Sequence, residues 1–116
     1  MAANDEDLVP AELMRSALLA AGVPPENVRI KPPTEEHDSD VHVLGPGGII
    51  VVIQCGRDKE GIYFIADHWY ASGECYCLTP AHIPNDAAKV TVAVVRYLNN
   101  PKHETQSLDV KWNEEP

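Results

Sequence analysis

The sequence predicts an α+β domain: an antiparallel β-meander of three to five strands, with an N-terminal and a C-terminal helix packed on the sheet. Three patterns lead to this prediction. A continuous β-branched run occupies residues 49–53, alternating segments with turn residues between them lie on both sides of it, and helical spacing appears near each end. Strands that follow one another through short turns form a meander, and amphipathic helices bury their apolar side on such a sheet.

The centre of the predicted sheet is the run from Gly48 to Cys55. Its five β-branched residues favour a strand because their stiff side chains suit a pleated, packed surface. Successive side chains of a strand point to opposite faces, so an unbroken apolar run predicts a strand that is buried on both sides. We therefore expect Val52→Asp to abolish folding.

Turn residues separate the other predicted strands. Gly45-Pro46-Gly47-Gly48 suits a type II turn that pairs the preceding strand with the central run. In the strand after the central run, alternation places Phe64 and His68 on one face and Tyr63, Ile65 and Trp69 on the other. The strands predicted beside the central run are 27–31, which is expected at an edge because Pro32 and Pro33 follow it, 41–44, 62–70 and 74–78.

Two helices complete the prediction. The first runs from about Pro10 to Ala21, with proline in the first turn and Gly22 at the end. The second runs from Asn85, as N-cap, to about Leu98. The β-branched residues 90–95 could form a strand on propensity alone, but length, cap and terminator favour a helix. The residues expected to face inward are Leu13, Met14, Ala17, Leu18 and Ala21 in the first helix and Ala87, Val90, Val94 and Leu98 in the second.

The predicted domain organisation has three parts. Residues 1–9 form a flexible acidic N-terminus, residues 10–100 form the single α+β domain, and residues 101–116 form an acidic extension. Leu108, Val110 and Trp112 alternate with polar residues, so this extension is a possible edge strand.

The charge of the chain argues against direct contact with nucleic acid or an anionic membrane. The formal net charge is −9, and residues 1–40 alone carry nine acids and three bases. Like charges repel, whereas a basic protein partner is compatible with this balance. The simpler interpretation is that the acidic flanks keep a small domain soluble.

The cysteines indicate the cytoplasm, and so does the acidic N-terminus, because a signal peptide would begin with basic residues. Three cysteines do not form a disulfide framework, and no apolar run is long enough to cross a membrane.

Cys75 and Cys77 share one face of a strand and, with His82 or His68, are candidates for a zinc or thiol site. Their spacing is poor for zinc, and buried cysteines usually behave as small hydrophobes. We therefore expect neither a metal nor any other cofactor.

The most acidic internal segment lies between the first two predicted strands. Glu35, Glu36, Asp38 and Asp40 are dense enough to suggest a divalent cation. The spacing of a calcium loop is absent, and the acid-x-lysine pattern of metal-dependent nucleases has no counterpart in Gln54-Cys55-Gly56. A solvated loop is the better interpretation.

Three classes of function are open. The first is a small acidic protein-binding module without catalytic activity, in its sharper form an inhibitor of the phage-antagonist type that occupies a basic, nucleic-acid-binding surface of an enzyme. The second is a metal- or thiol-dependent enzyme using Cys75, Cys77, His82 or His68. The third is a structural subunit that is completed by homo-oligomerisation.

The candidate interface combines aromatic and acidic residues. If both helices lie on the Phe64 face, the side chains on the opposite face form an exposed patch, and such patches mark interaction sites. We therefore expect a homodimer or a chain docked on a protein partner. The predicted interface residues are Tyr63, Ile65, Trp69, Glu35, Glu36, Asp38 and Asp40.

Overall fold

The computed structural model describes residues 5–35, 38–45, 49–59, 61–69, 75–78 and 86–100. They form the predicted α+β fold. A short 3₁₀ turn, Pro25–Asn27, precedes the first strand. The helices and strands are α1 (Asp5–Ala20), β1 (Val28–Lys31), β2 (Ser39–Leu44), β3 (Ile50–Asp58), β4 (Gly61–Trp69), β5 (Cys75–Cys77) and α2 (Ala87–Asn99).

The sheet is the predicted antiparallel meander. Its strand order is β1-β2-β3-β4-β5, so every pair of neighbours is also consecutive in the chain. Val43 of β2 faces Val51 of β3, which in turn faces His68 of β4. The apolar run lies in the central strand, and β1 lies at an edge, as Pro32 and Pro33 after it predicted.

Helix α1 begins earlier than predicted. The sequence predicts a start at about Pro10, but the helix extends back to Asp5 and contains Pro10. The proline ring is fully buried, and this burial offsets the backbone hydrogen bond that proline cannot donate. The predicted end is confirmed: Gly22 has a positive φ of 96°, and Val23 N donates to Leu18 O at 3.1 Å.

The inward side of α1 is narrower than its sequence indicated. Met14 and Leu18 are fully buried as predicted, whereas Leu13 is 47% exposed and Ala21 is exposed. Ala11, which was not predicted to face inward, is fully buried in the core. The stripe that contacts the sheet therefore follows positions 11, 14 and 18, three and four residues apart.

Helix α2 confirms the helical interpretation of residues 90–95. Its N-cap is Asp86, not Asn85: Asp86 Oδ1 accepts hydrogen bonds from Ala88 N at 3.0 Å and Lys89 N at 3.3 Å. Asn85 lies outside the described residues. Val90, Val94 and Leu98 are buried as predicted, and Thr91 and Tyr97 are buried beside them.

Both helices pack on the same face of the sheet and contact each other. We call this the covered face. Its core is apolar and closely packed, with Val51 and Ile53 of β3 at 0% exposure. The strand residues of the covered face are Val28, Ile30, Ser39, Val41, Val43, Val51, Ile53, Cys55, Arg57, Ile62, Phe64, Ala66 and His68.

The prediction that the central strand is buried on both sides is met only in part among the described residues, because Ile50, on the face away from the helices, is 5% exposed whereas two other residues of that face are not buried. Val52 and Gln54 point away from the helices and are only half-buried. The run 49–53 is unbroken because β-branched residues suit a central strand on either face, so propensity was mistaken for double burial. The possible edge strand at 108–112 lies outside the described residues. None of the described helices is long and apolar enough to cross a membrane.

Candidate functional site

The face opposite the helices is the candidate site. No described helix packs on it, and we call it the open face. It mixes apolar, aromatic, acidic and basic side chains. Its described residues are Arg29, Lys31, Asp40, His42, Leu44, Ile50, Val52, Gln54, Tyr63, Ile65, Asp67 and Cys77, with Asp38 just before β2.

The middle of the open face is apolar. Ile65 of β4 is 40% exposed, and Val52 of β3 is half-buried one strand away. His42 and Ile50 also belong to this face, and they are buried, with 7% and 5% exposure. Ile65 and Val52 are diagonal neighbours, because the direct cross-strand partner of Ile65 is Gln54 and that of Val52 is Asp67.

A hydrogen-bonded cluster lies beside this apolar centre. Gln54 Nε2 donates to Tyr63 Oη at 3.0 Å, and the Tyr63 hydroxyl donates to the Asp38 carboxylate. Gly56, opposite Tyr63, leaves room for both side chains: a Cβ there would lie 2.7 Å from Asp38 Cγ and 2.7 Å from Tyr63 Oη. The cluster fixes the tyrosine ring and the carboxylate in one arrangement, and such order lowers the entropic cost of a contact.

Charges on the open face are arranged across the strands. Lys31 lies directly opposite Asp40, so the β1 edge carries a cross-strand pair of opposite charge. Asp67 of β4 lies opposite both Val52 and Cys77. Burial raises the pKa of the Asp67 carboxyl, and a hydrogen bond with Cys77 partly opposes this shift. The open face therefore has a basic end at β1 and a partly desolvated carboxylate towards β5.

The covered face holds a buried polar pair. His68 of β4 is 0% exposed, and its Nδ1 lies 2.6 Å from Tyr97 Oη of α2. The two rings meet edge to face, with centroids 5.5 Å apart. This hydrogen bond joins α2 to the sheet, so His68 has a structural partner inside the core.

The candidate thiol or zinc site around Cys77 and His68 is not assembled among the described residues. Cys77 is exposed on the open face, whereas His68 is buried on the covered face, so the sheet separates them. The described part of the chain contains no group of three potential metal ligands. His82 and the side chain of Cys75 lie outside that part. Burial, with a smaller contribution from Asp40, raises the pKa of the Cys55 thiol to about 12 and keeps it protonated.

The structure brings most of the predicted interface residues to one face. Tyr63, Ile65, Asp38 and Asp40 belong to the open face, and Glu35 is exposed in the loop before it. Trp69 is the last residue of β4 and lies opposite Cys75, but its side chain is not among those that the structure describes. Glu36 is likewise outside it.

Sequence reasoning missed Gln54, Gly56 and Tyr97. The alternation of β3 could have placed Gln54 beside Tyr63, since a polar residue at the end of an apolar strand marks the less buried face. No local pattern could reveal that Tyr97, at the far end of the chain, reaches His68.

Comparison with protein-family models, with curated proteins and with solved structures gave no significant match. The function is therefore inferred from the geometry of the open face alone.

Proposed function

We propose that the protein is a small protein-binding module without catalytic activity, and that it binds its partner through the open face of its sheet. The observation that carries this proposal is the one-sided packing of the two helices. It leaves Ile65, Val52 and Tyr63 in the centre of a face with carboxylates and amides around them. An apolar and aromatic centre with a polar rim is the usual composition of a protein interface.

The ordered cluster on this face supports a specific contact. Tyr63 is held by Gln54 and Asp38, so it presents its ring edge without further loss of side-chain freedom. The proposed site of action is the cytoplasm, in agreement with an odd number of cysteines.

A second candidate is the inhibitor that occupies a basic groove of an enzyme. The observation that favours it is the exposure of Glu35 and Asp38, which lie before β2, together with Asp40 on β2, where Lys31 faces it. Carboxylates at an interface margin attract a basic partner and speed association, and salt screens their effect.

The test compares two matched substitutions in binding experiments with extracts of the native host. Ile65→Asp places a charge on the open face, and Val92→Asp places the same charge on α2, where Val92 is 55% exposed. We expect a protein that is retained by the wild type and by Val92→Asp to be lost with Ile65→Asp. Equal retention by both variants would contradict the proposal.

The same experiment separates the two candidates. For an inhibitor of a basic surface, a duplex oligonucleotide competes with this protein for the captured partner. Asp38→Asn with Asp40→Asn weakens the complex chiefly at low salt. If the oligonucleotide does not affect binding of the partner, the basic-groove inhibitor is excluded. The general protein-binding module then remains as the proposed function.

A further inference from the structure

One row of residues crosses the open face from edge to edge. Hydrogen-bond register places Arg29, His42, Val52, Asp67 and Cys77 side by side on the five strands. The row has a base at one end, an apolar residue at the centre and a carboxylate on the other side. The charge thus changes sign about Val52, which lies on the central strand.

Arg29 lies two strands from β3 on one side and Asp67 one strand from it on the other, so the two charges of the row lie on opposite sides of its centre. Rotation of a second copy by 180° about an axis parallel to β3, above Val52, stacks the two open faces with β1 of one copy over β5 of the other. Arg29 of each copy then lies over Cys77 of its partner, and the partner's Asp67 is one strand away, within the span of an arginine side chain. A two-fold axis across the strands would instead set Arg29 against Arg29 and Asp67 against Asp67, and such like-charge contacts cost several kcal/mol.

The rest of the face fits this arrangement. The axis passes along β3, so Val52 and Gln54 meet their own counterparts, as residues on the axis of a two-fold interface must. The same rotation sets Ile65 of β4 against Asp40 on β2 of the second copy, and Asp40 keeps Lys31 beside it on β1. Stacked sheets pack about 10 Å apart with nearly aligned strands, so the helices of each copy form the outer layers.

The size of the face agrees with a reversible dimer. Five strands spaced about 4.8 Å apart and about six residues long give roughly 500 Å² of face per copy, or roughly 1,000 Å² in total. This area is near the lower limit for a specific interface. Asp67 is already partly desolvated by its surroundings, so an opposing guanidinium has less water to displace from the carboxylate.

We propose that the partner of the open face is a second copy of this chain, bound face to face about a two-fold axis parallel to β3, with Arg29 of each copy paired to Asp67 of the other. The inference rests on the proposed function, because it names the partner of the same face.

The test is a charge exchange followed by sedimentation velocity and light scattering over a range of concentrations. The wild type is expected to dimerise with a micromolar Kd. Arg29→Asp and Asp67→Arg should each weaken the dimer about tenfold or more, and the double variant should restore most of the affinity. Lys89→Asp on the exposed side of α2 controls for net charge and should leave the Kd unchanged, and thermal melts confirm that every variant folds.

The outcomes also separate this inference from the proposed function. A wild type that stays monomeric at about 1 mM overturns the dimer, as does a double variant no tighter than the single ones. If the wild type is monomeric while a different protein binds and is lost with Ile65→Asp, the open face remains a binding surface and only the identity of the partner is wrong. If the wild type dimerises and Ile65→Asp leaves the dimer intact, the interface lies elsewhere and the face-to-face dimer is overturned, while the proposed function is still decided by the retention of a partner by Ile65→Asp and Val92→Asp.

Discussion

The covered face and the open face are built from alternate residues of the same strands, and they differ in almost every other respect. On β3, Val51 and Ile53 are fully buried beneath the helices, whereas Val52 between them is half-buried. The polar pair of the covered face joins two elements of the core, and the polar cluster of the open face orders surface side chains. One face therefore determines stability, and the other is available for contacts.

The largest expected difference is between two neighbouring residues. Ile53→Asp places an unpaired charge in the core and should prevent folding, at a cost of more than about 4 kcal/mol. Val52→Asp should cost only about 1–2 kcal/mol, because water reaches the new carboxylate on the open face. Chemical denaturation of both variants measures the contrast. Loss of folding in both would restore the prediction of a strand buried on both sides.

The two tyrosines give the next comparison. Tyr97→Phe removes the hydroxyl that meets His68 Nδ1 in the core, and we expect a loss of about 1–3 kcal/mol in the free energy of unfolding. Tyr63→Phe removes hydrogen bonds that water can replace, and it should cost about 0.5 kcal/mol. Urea denaturation of both variants at neutral pH measures the two losses in the free energy of unfolding. Equal losses would show that the open face is as desolvated as the core.

Cys55 should make the covered face sensitive to alkali. The pKa of its thiol is about 12 in the folded protein and about 9 in the unfolded chain. Well below pH 9 the thiol is protonated in both states, so it adds no pH dependence to the free energy of unfolding. As the pH rises above 9 only the unfolded state loses the proton, and stability should fall by about 1 kcal/mol by pH 10. The slope between pH 8 and 10 should be smaller in Cys55→Ala.

Thiol labelling gives an independent measurement of the same difference. Exposed Cys77 should react with iodoacetamide in the native protein, and Cys55 only after unfolding, as peptide mapping by mass spectrometry would show. Native labelling of Cys55 would contradict the burial on which the pH dependence is based.

Asp67 should give the smallest effect. Because burial raises its pKa in the folded state, ionisation opposes folding as the pH rises from about 4. At protein concentrations low enough to keep the chain monomeric, Asp67→Asn should therefore raise stability at neutral pH by no more than about 0.5 kcal/mol, since the group is half-exposed. The gain should disappear at pH 3, where both states are protonated. A gain that persists at pH 3 would show that packing, and not charge, is responsible.

The fold was largely predictable because its signals are local. Gly22 and Pro32 mark the ends of their elements, and the apolar run 49–53 identifies β3 through β propensity alone. The start of α1 was missed because Pro10 is a helix-start signal, and only its burial in the core explains why the helix continues through it.

The site was less predictable because it depends on which face the helices choose. Alternation correctly grouped Tyr63 with Ile65, but it gives the same pattern whether the helices pack on one face or on both. The His68–Tyr97 pair joins residues 29 positions apart, and no local periodicity encodes such a contact. Tertiary packing decided both points.

The contact between α1 and α2 has a consequence for the order of folding. All strand pairs join neighbours in the chain, so the meander can form by closing short loops. Contact between the helices instead closes a loop that contains the whole sheet. On the ribosome, α1 and the strands emerge before α2, so β4, the strand that α2 contacts, must wait for that part of its cover until Tyr97 arrives. During that interval the nascent chain presents its apolar surface to chaperones and to neighbouring chains, so the last helix determines how long the protein is exposed to aggregation.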